Sequence, residues 1–159
     1  MDRRNFVKSA AALGGSGLLL NSIQAETLGY YGVGDEIKVA VIGCGGRGTG
    51  AAIQALSTKQ NVKLVAMADA FSDRIEESVK AINKEMADAG LDKMKFAVTP
   101  DKQFVGFDAY KKAIALADVV ILATPPGFRP IHFEEAVNQG KHIFMEKPVA
   151  TDAVGVRRV

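Results

Sequence analysis

Gly43-Cys44-Gly45-Gly46-Arg47-Gly48 fits the pattern G-x-G-x-x-G. That spacing suits a loop that receives a diphosphate. A first glycine makes the tight turn, a second lets the backbone approach the anion, and a third lets the next helix pack close to the sheet. Gly43, Gly45 and Gly48 would take those three parts, with Gly46 and Arg47 in the same loop. The freed N–H groups and the positive end of the helix dipole then favour the phosphates. Asp69 follows the next apolar run, where a carboxylate accepts hydrogen bonds from an adenosine ribose and repels a 2′-phosphate. The expectation is therefore a nicotinamide dinucleotide, NAD ahead of NADP; NADP stays open because Arg47 or Arg74 can offset the repulsion. Thr124-Pro125-Pro126 and Glu146-Lys147-Pro148 each close an apolar run further along. A lysine at such a place can act as an acid or hydrogen-bond donor to a substrate hydroxyl or carbonyl. Partial burial beside a cationic ring would bring it into a useful range. Taken alone, a lysine before a turn proline is an ordinary surface feature.

These groups need a scaffold that brings strand ends together. Ile37 to Ile42 is a β-branched run ending in glycines and reads as a buried strand. A helix should follow over 46–56, then a second strand over 62–68. Ser72 is the expected N-cap of a helix reaching about Ala89, with Asp73, Glu76 and Glu77 near its positive end. A third strand is expected over 95–98, ended by Thr99-Pro100-Asp101, and a short helix over 107–117. A fourth strand fits 118–123. Pro130 opens the next helix and Gly140 closes it. His142 to Met145 reads as a fifth strand. A last helix is expected near Asp152, with Thr151 as its cap. Strands separated by helices imply a parallel sheet with right-handed crossovers, an α/β Rossmann-like, doubly wound domain.

Composition narrows the partners. The 159 residues are 48% hydrophobic and 24% charged, which suits an ordinary packed core and excludes disordered, collagen-like and coiled-coil classes. One cysteine and two histidines make a structural zinc site a poor fit, so no metal is expected. No apolar run approaches the roughly 20 residues that span a bilayer, so no stable membrane insertion is expected. The basic excess is local. Of 20 basic and 18 acidic side chains, Arg3, Arg4, Lys8 and Asp2 lie in the first 25 residues, so the rest balance at 17 each. That balance gives no electrostatic reason for a nucleic-acid partner.

The first 25 residues read as an address. Arg3-Arg4-Asn5-Phe6-Val7-Lys8 precedes a weak apolar stretch with no charge until Glu26, and Ala25 offers a small residue for cleavage. This is similar to a twin-arginine export signal, implying export to the periplasm or another extracytoplasmic space. Residues 26–36 read as a linker, and 37–159 as the nucleotide-binding domain.

The glycine loop, Ala68-Asp69, Ala123-Thr124-Pro125-Pro126 and the stretch from Gly140 to Pro148 together resemble the N-terminal domain of the Gfo/Idh/MocA oxidoreductases. The likeness runs from about Ile37 to Val159. It implies that Lys147 assists catalysis, that Glu146 lies near the nicotinamide ribose, and that Thr124 and Pro125 line the cofactor. His132 also has a place near the cofactor on this likeness, although a histidine on a helix face is more often structural; His142 is expected to pack. Members continue into a second domain that supplies most of the substrate pocket, a further Asp/His pair and commonly the oligomer interface. The expectation is a fragment, stopping before the domain's last strand and inactive by itself, from a parent that is a homo-oligomer.

Three activities fit these features. A dehydrogenase would move hydride between the nicotinamide and a sugar, polyol or related carbohydrate. An NAD-dependent glycoside hydrolase of the same superfamily would recycle its cofactor within one turnover, which suits an exported protein; that branch tends to lack the lysine matching Lys147. A non-catalytic dinucleotide-binding module is the third.

Overall fold

The computed structural model describes residues 35–159. The expected export signal and nearly all of the expected linker lie outside the described residues. The elements are β1 (Ile37–Ile42), α1 (Gly46–Leu56), β2 (Val62–Asp69), α2 (Ser72–Asp88), β3 (Gln103–Val105), α3 (Ala109–Ala115), β4 (Val119–Leu122), α4 (Arg129–Asn138), β5 (His142–Met145) and α5 (Ala153–Arg158). The strands form one sheet in the order β3-β2-β1-β4-β5, and every pairing is parallel. This is the doubly wound, Rossmann-like sheet expected from the sequence. The sheet begins at its centre with β1, builds outward through β2 and β3, then crosses back to build β4 and β5. Between β1 and β4 the winding reverses, and the carboxyl ends of those strands open a crevice there.

The apolar pattern explains the layers. The last four residues of β1 are all buried, which requires cover on both faces. Val39 and Val41 face the side of α1 and α2, with Leu56, Leu64, Met67, Ile75 and Ile82. Ala40 and Ile42 face the other side, with Tyr110, Ala113, Ile114 and Leu122. Along α2, Ile75, Ser78, Ile82 and Met86 are the buried residues, an inward stripe of helical period. Leu56 and Ile82 are fully buried, and each such side chain contributes about 1.5–3 kcal/mol.

The third strand lies later than expected. Lys93–Lys95 forms a single 3-10 turn, and Phe96 makes one isolated bridge to Leu64, with the Ala97 N–H donating to the Leu64 carbonyl at 2.9 Å. Pro100 opens a second 3-10 turn, and pairing resumes at Gln103–Val105 against Met67–Asp69. A proline has no N–H for the ladder, so the run at 95–98 cannot extend through it. The eight residues of β2 are long enough to be met twice.

Two helix starts also differ. Phe71, not Ser72, stands at the N-cap of α2 in an extended conformation with no side chain on the first-turn N–H groups, while its own N–H donates to the Asp69 carboxylate at 3.1 Å. Asp152, not Thr151, caps α5, accepting from the Gly155 N–H at 2.6 Å. A short carboxylate reaches those amides and is the stronger acceptor. His142 is exposed at the start of β5 rather than packed. Among the described residues no helix is long and apolar enough to cross a membrane.

Candidate functional site

The glycine loop leaves β1 directly across the end of β4. Gly43 holds φ at +96°, and a Cβ built there would stand 2.6 Å from the Thr124 nitrogen and 2.8 Å from the Ala123 carbonyl carbon. No other residue type fits that backbone and that approach. A Cβ on Gly48 would meet the Gly43 carbonyl oxygen at 1.9 Å, so α1 starts pressed onto the turn. Gly45 and Gly46 differ: a Cβ on either meets nothing within 4 Å. Gly45 caps α1 in an extended conformation, with no side chain on the first N–H groups of the helix. Those groups have no intrahelical partner and suit an anion.

Asp69 ends β2 beside this loop. One carboxylate oxygen accepts the Cys44 N–H at 2.7 Å and the other the Phe71 N–H at 3.1 Å. The carboxylate is therefore held by two backbone segments and keeps acceptor capacity on both oxygens. Cys44 is buried, and its thiol donates to the Ala68 carbonyl at 3.5 Å. Burial first, then the charge of Asp69, push that thiol far above its ordinary range, so it is no nucleophile.

A cavity of about 620 Å³ extends from this corner. Of the residues singled out above, Gly43, Gly45, Gly46, Arg47, Asp69, Arg74, Thr124, Pro125 and His132 line it. Gly48 packs behind the loop. Glu146 and Lys147 are not in the lining. Glu146 is buried and reaches the cavity rim through Arg47, whose guanidinium lies 2.5 Å from its carboxylate. That hydrogen bond holds the Glu146 carboxyl below its usual range and raises Arg47. Lys147 is exposed, not partly buried as expected. Side chains alternate at a strand end, so drawing Glu146 inward turns its neighbour outward.

Several lining residues were not singled out from the sequence. Phe71, Phe107 and Phe128 expose aromatic rings at the cavity, and the Phe107 and Phe128 centroids are 6.1 Å apart. His132, by contrast, was expected near the cofactor, and it is buried in the wall. Its ring lies 4.3 Å from that of Tyr110, and its Nδ1 is 3.1 Å from the Thr124 hydroxyl. Burial pushes His132 down to about 4, so it is neutral at pH 7. Arg129 is buried at the start of α4, and its Nε donates to the Thr124 carbonyl at 2.7 Å. Burial lowers its pKa and the charge of Glu146 partly restores it. A charged residue just before Pro130 and just after a strand-ending Thr-Pro-Pro was the available signal. Among the described residues no group of His, Cys, Asp or Glu is placed to hold a metal.

The open cradle at Gly45-Gly46, the fixed carboxylate and the long cavity fit a dinucleotide. Residues 37–159 match the model of an oxidoreductase family with an NAD-binding Rossmann fold, the Gfo/Idh/MocA group. The chain belongs to that family. A glycosyl hydrolase family 109 protein of Solibacter usitatus is 30% identical over 155 residues, which is 93% of this chain and 33% of the relative. The myo-inositol dehydrogenase of Lactobacillus casei, solved with NAD(H) and myo-inositol, superposes with a TM-score of 0.61 at 21% identity, over 78% of this chain and 32% of that one. A 3-ketoreductase from Actinomadura kijaniata, solved with NADP, gives a TM-score of 0.55 at 24% identity, over 78% and 34%. This chain thus spans about a third of the length of the relatives it matches. The family binds NAD(P), and similar solved structures include one with NAD(H) and one with NADP.

Proposed function

We propose that this chain is the nucleotide-binding part of an NAD-dependent dehydrogenase acting on a sugar, polyol or related carbohydrate. One observation carries the reading: the Asp69 carboxylate is fixed by the Cys44 and Phe71 N–H groups at one end of a cavity floored by the open Gly45-Gly46 cradle. When bound, the nicotinamide cofactor supplies the acceptor or donor of hydride. The loop N–H groups and the start of α1 hold the phosphates. Asp69 accepts from the ribose hydroxyls, and its charge disfavours a 2′-phosphate. Thr124 and Pro125 bound the cavity at the end of β4. Glu146, paired with Arg47 at the cavity rim, would accept from the nicotinamide ribose. Lys147 takes and returns the substrate hydroxyl proton. The relatives are about three times as long as this chain, and we expect nucleotide binding without carbohydrate turnover from the 159-residue stretch alone.

The substrate class follows the relatives, which act on inositols, sugars or glycosides by their names. A second reading, an NAD-dependent glycoside hydrolase, is favoured by the curated relatives. Lys147 supports the dehydrogenase instead. The Arg3-Arg4 head supports export by the twin-arginine route, which carries folded proteins with cofactor already loaded.

Calorimetry with NAD and NADP on this chain is the first test; no affinity for either overturns the proposal. For the longer protein, NADH production at 340 nm with free polyols supports the dehydrogenase. Glycone release from aryl glycosides without net NADH supports the hydrolase. Nucleotide binding with neither supports a non-catalytic module. Loss of export on changing Arg3 and Arg4 to lysine tests the address.

A further inference from the structure

We infer that Arg129 is a positioning residue: its buried guanidinium anchors the Glu146-Lys147-Pro148 turn to the end of β4 and so sets where Lys147 stands. The inference rests on the proton-handling role proposed for Lys147. Arg129 opens α4 and is only 6% exposed. Its Nε donates to the Thr124 carbonyl at 2.7 Å. Its Nη1 donates to the carbonyls of Glu146 and of Pro148, the latter at 2.5 Å. One side chain thus joins the segment after β4 to the carbonyls on both sides of Lys147.

The geometry requires such a group. The Glu146 N–H donates to the Leu122 carbonyl at 3.0 Å, and past this bond β4 and β5 part. The Thr124, Glu146 and Pro148 carbonyls would face each other across the gap with no N–H to share. The Glu146 carbonyl is buried and the Thr124 and Pro148 carbonyls partly so, and carbonyls drawn out of water need donors. A guanidinium carries five in a rigid fork, whereas an ammonium radiates three from one point and does not span the gap. The Glu146 carboxylate is meanwhile taken by Arg47. Glu146 is therefore held at its side chain by one arginine and at its carbonyl by another. With Pro148 tied to the same guanidinium, the backbone of Lys147 is fixed on both sides while its side chain stays exposed. An apolar residue of similar size would fill the space and leave three carbonyls unpaired.

Amide hydrogen exchange by NMR on this chain, without cofactor, tests the anchoring in wild type, Arg129→Lys and Arg129→Met. The Glu146 amide is expected to exchange at least tenfold faster in Arg129→Met and less so in Arg129→Lys, with the Val41 amide at the sheet centre unchanged. An unchanged Glu146 amide, or equal acceleration at both amides, overturns the inference; should Arg129→Met fail to fold, Arg129→Lys carries the same comparison. NADH titration then tests the consequence. Dissociation constants are expected within threefold of wild type, while the emission of bound NADH shifts toward that of the free cofactor in Arg129→Met and partly recovers in Arg129→Lys. Identical bound emission in all three overturns it. Failure of the wild type to bind NADH would remove the proposed function and leave the exchange result to decide the anchoring.

Discussion

Two positions in the glycine loop, three residues apart, should fail in opposite ways. At Gly48 an added methyl would stand 1.9 Å from the Gly43 oxygen, a backbone atom, so α1 or the turn must move by more than 1 Å. Overpacking of this kind costs about 1–3 kcal/mol or more. Against a total stability of about 5–15 kcal/mol, Gly48→Ala should lower the melting temperature by roughly 10 °C. At Gly45 an added side chain meets no atom within 4 Å, and φ of −71° suits any residue. Aspartate is a good N-cap, so Gly45→Asp should hold stability within about 1 kcal/mol. The new carboxylate would stand where a phosphate sits. At about 5 Å and an effective dielectric of about 20, like charges repel by roughly 3 kcal/mol, about a hundredfold in affinity. Scanning calorimetry and NAD titration on both variants separate the two effects. Gly48→Ala melting within 2 °C of the parent by that measurement, roughly the noise of a ~0.5 kcal/mol change, would refute the packing argument. Unchanged NAD affinity in Gly45→Asp would refute the phosphate cradle.

Three further outcomes are expected. His132, with a folded pKa of about 4 against 6.5, stays neutral while the unfolded chain binds a proton, so stability should fall as pH drops from 6.5 toward 4 by roughly 3 kcal/mol in all; His132→Gln should flatten that decline in urea titrations, and parallel curves would sink the argument. The Lys95 ammonium donates to the carbonyls of Leu56 and Thr58 at 2.9 and 2.8 Å, closing the end of α1; Lys95→Met should lower stability by about 1–3 kcal/mol, read from the urea midpoint. Asp69→Asn keeps the shape and removes the charge, so calorimetry should find the preference for NAD over NADP reduced about tenfold or more, and an unchanged ratio would place the selectivity elsewhere.

Local chemistry made much of the site legible. Gly43 to Gly48 can be read because strand, turn and helix are contiguous, and each glycine's part follows from its place in the turn. The burial of β1 on both faces follows from its unbroken apolar run. The third strand was misplaced because Phe96 and Phe104 head similarly short apolar segments, and only the register against β2 decides which one pairs. Lys147 was expected to be partly buried, yet its neighbour takes the interior because Arg47 and Arg129 both hold Glu146.

The sequence alone determined the order of strands and helices, the glycine turn and the acid beside it, since each depends on residues close along the chain. The tertiary structure decided the rest. Arg47 meets Glu146 because the winding reverses between β1 and β4 and brings distant strand ends to one edge, and Arg129 reaches Pro148 because the crossover between β4 and β5 lays the start of its helix beside the end of β5. No spacing in the sequence encodes those distances.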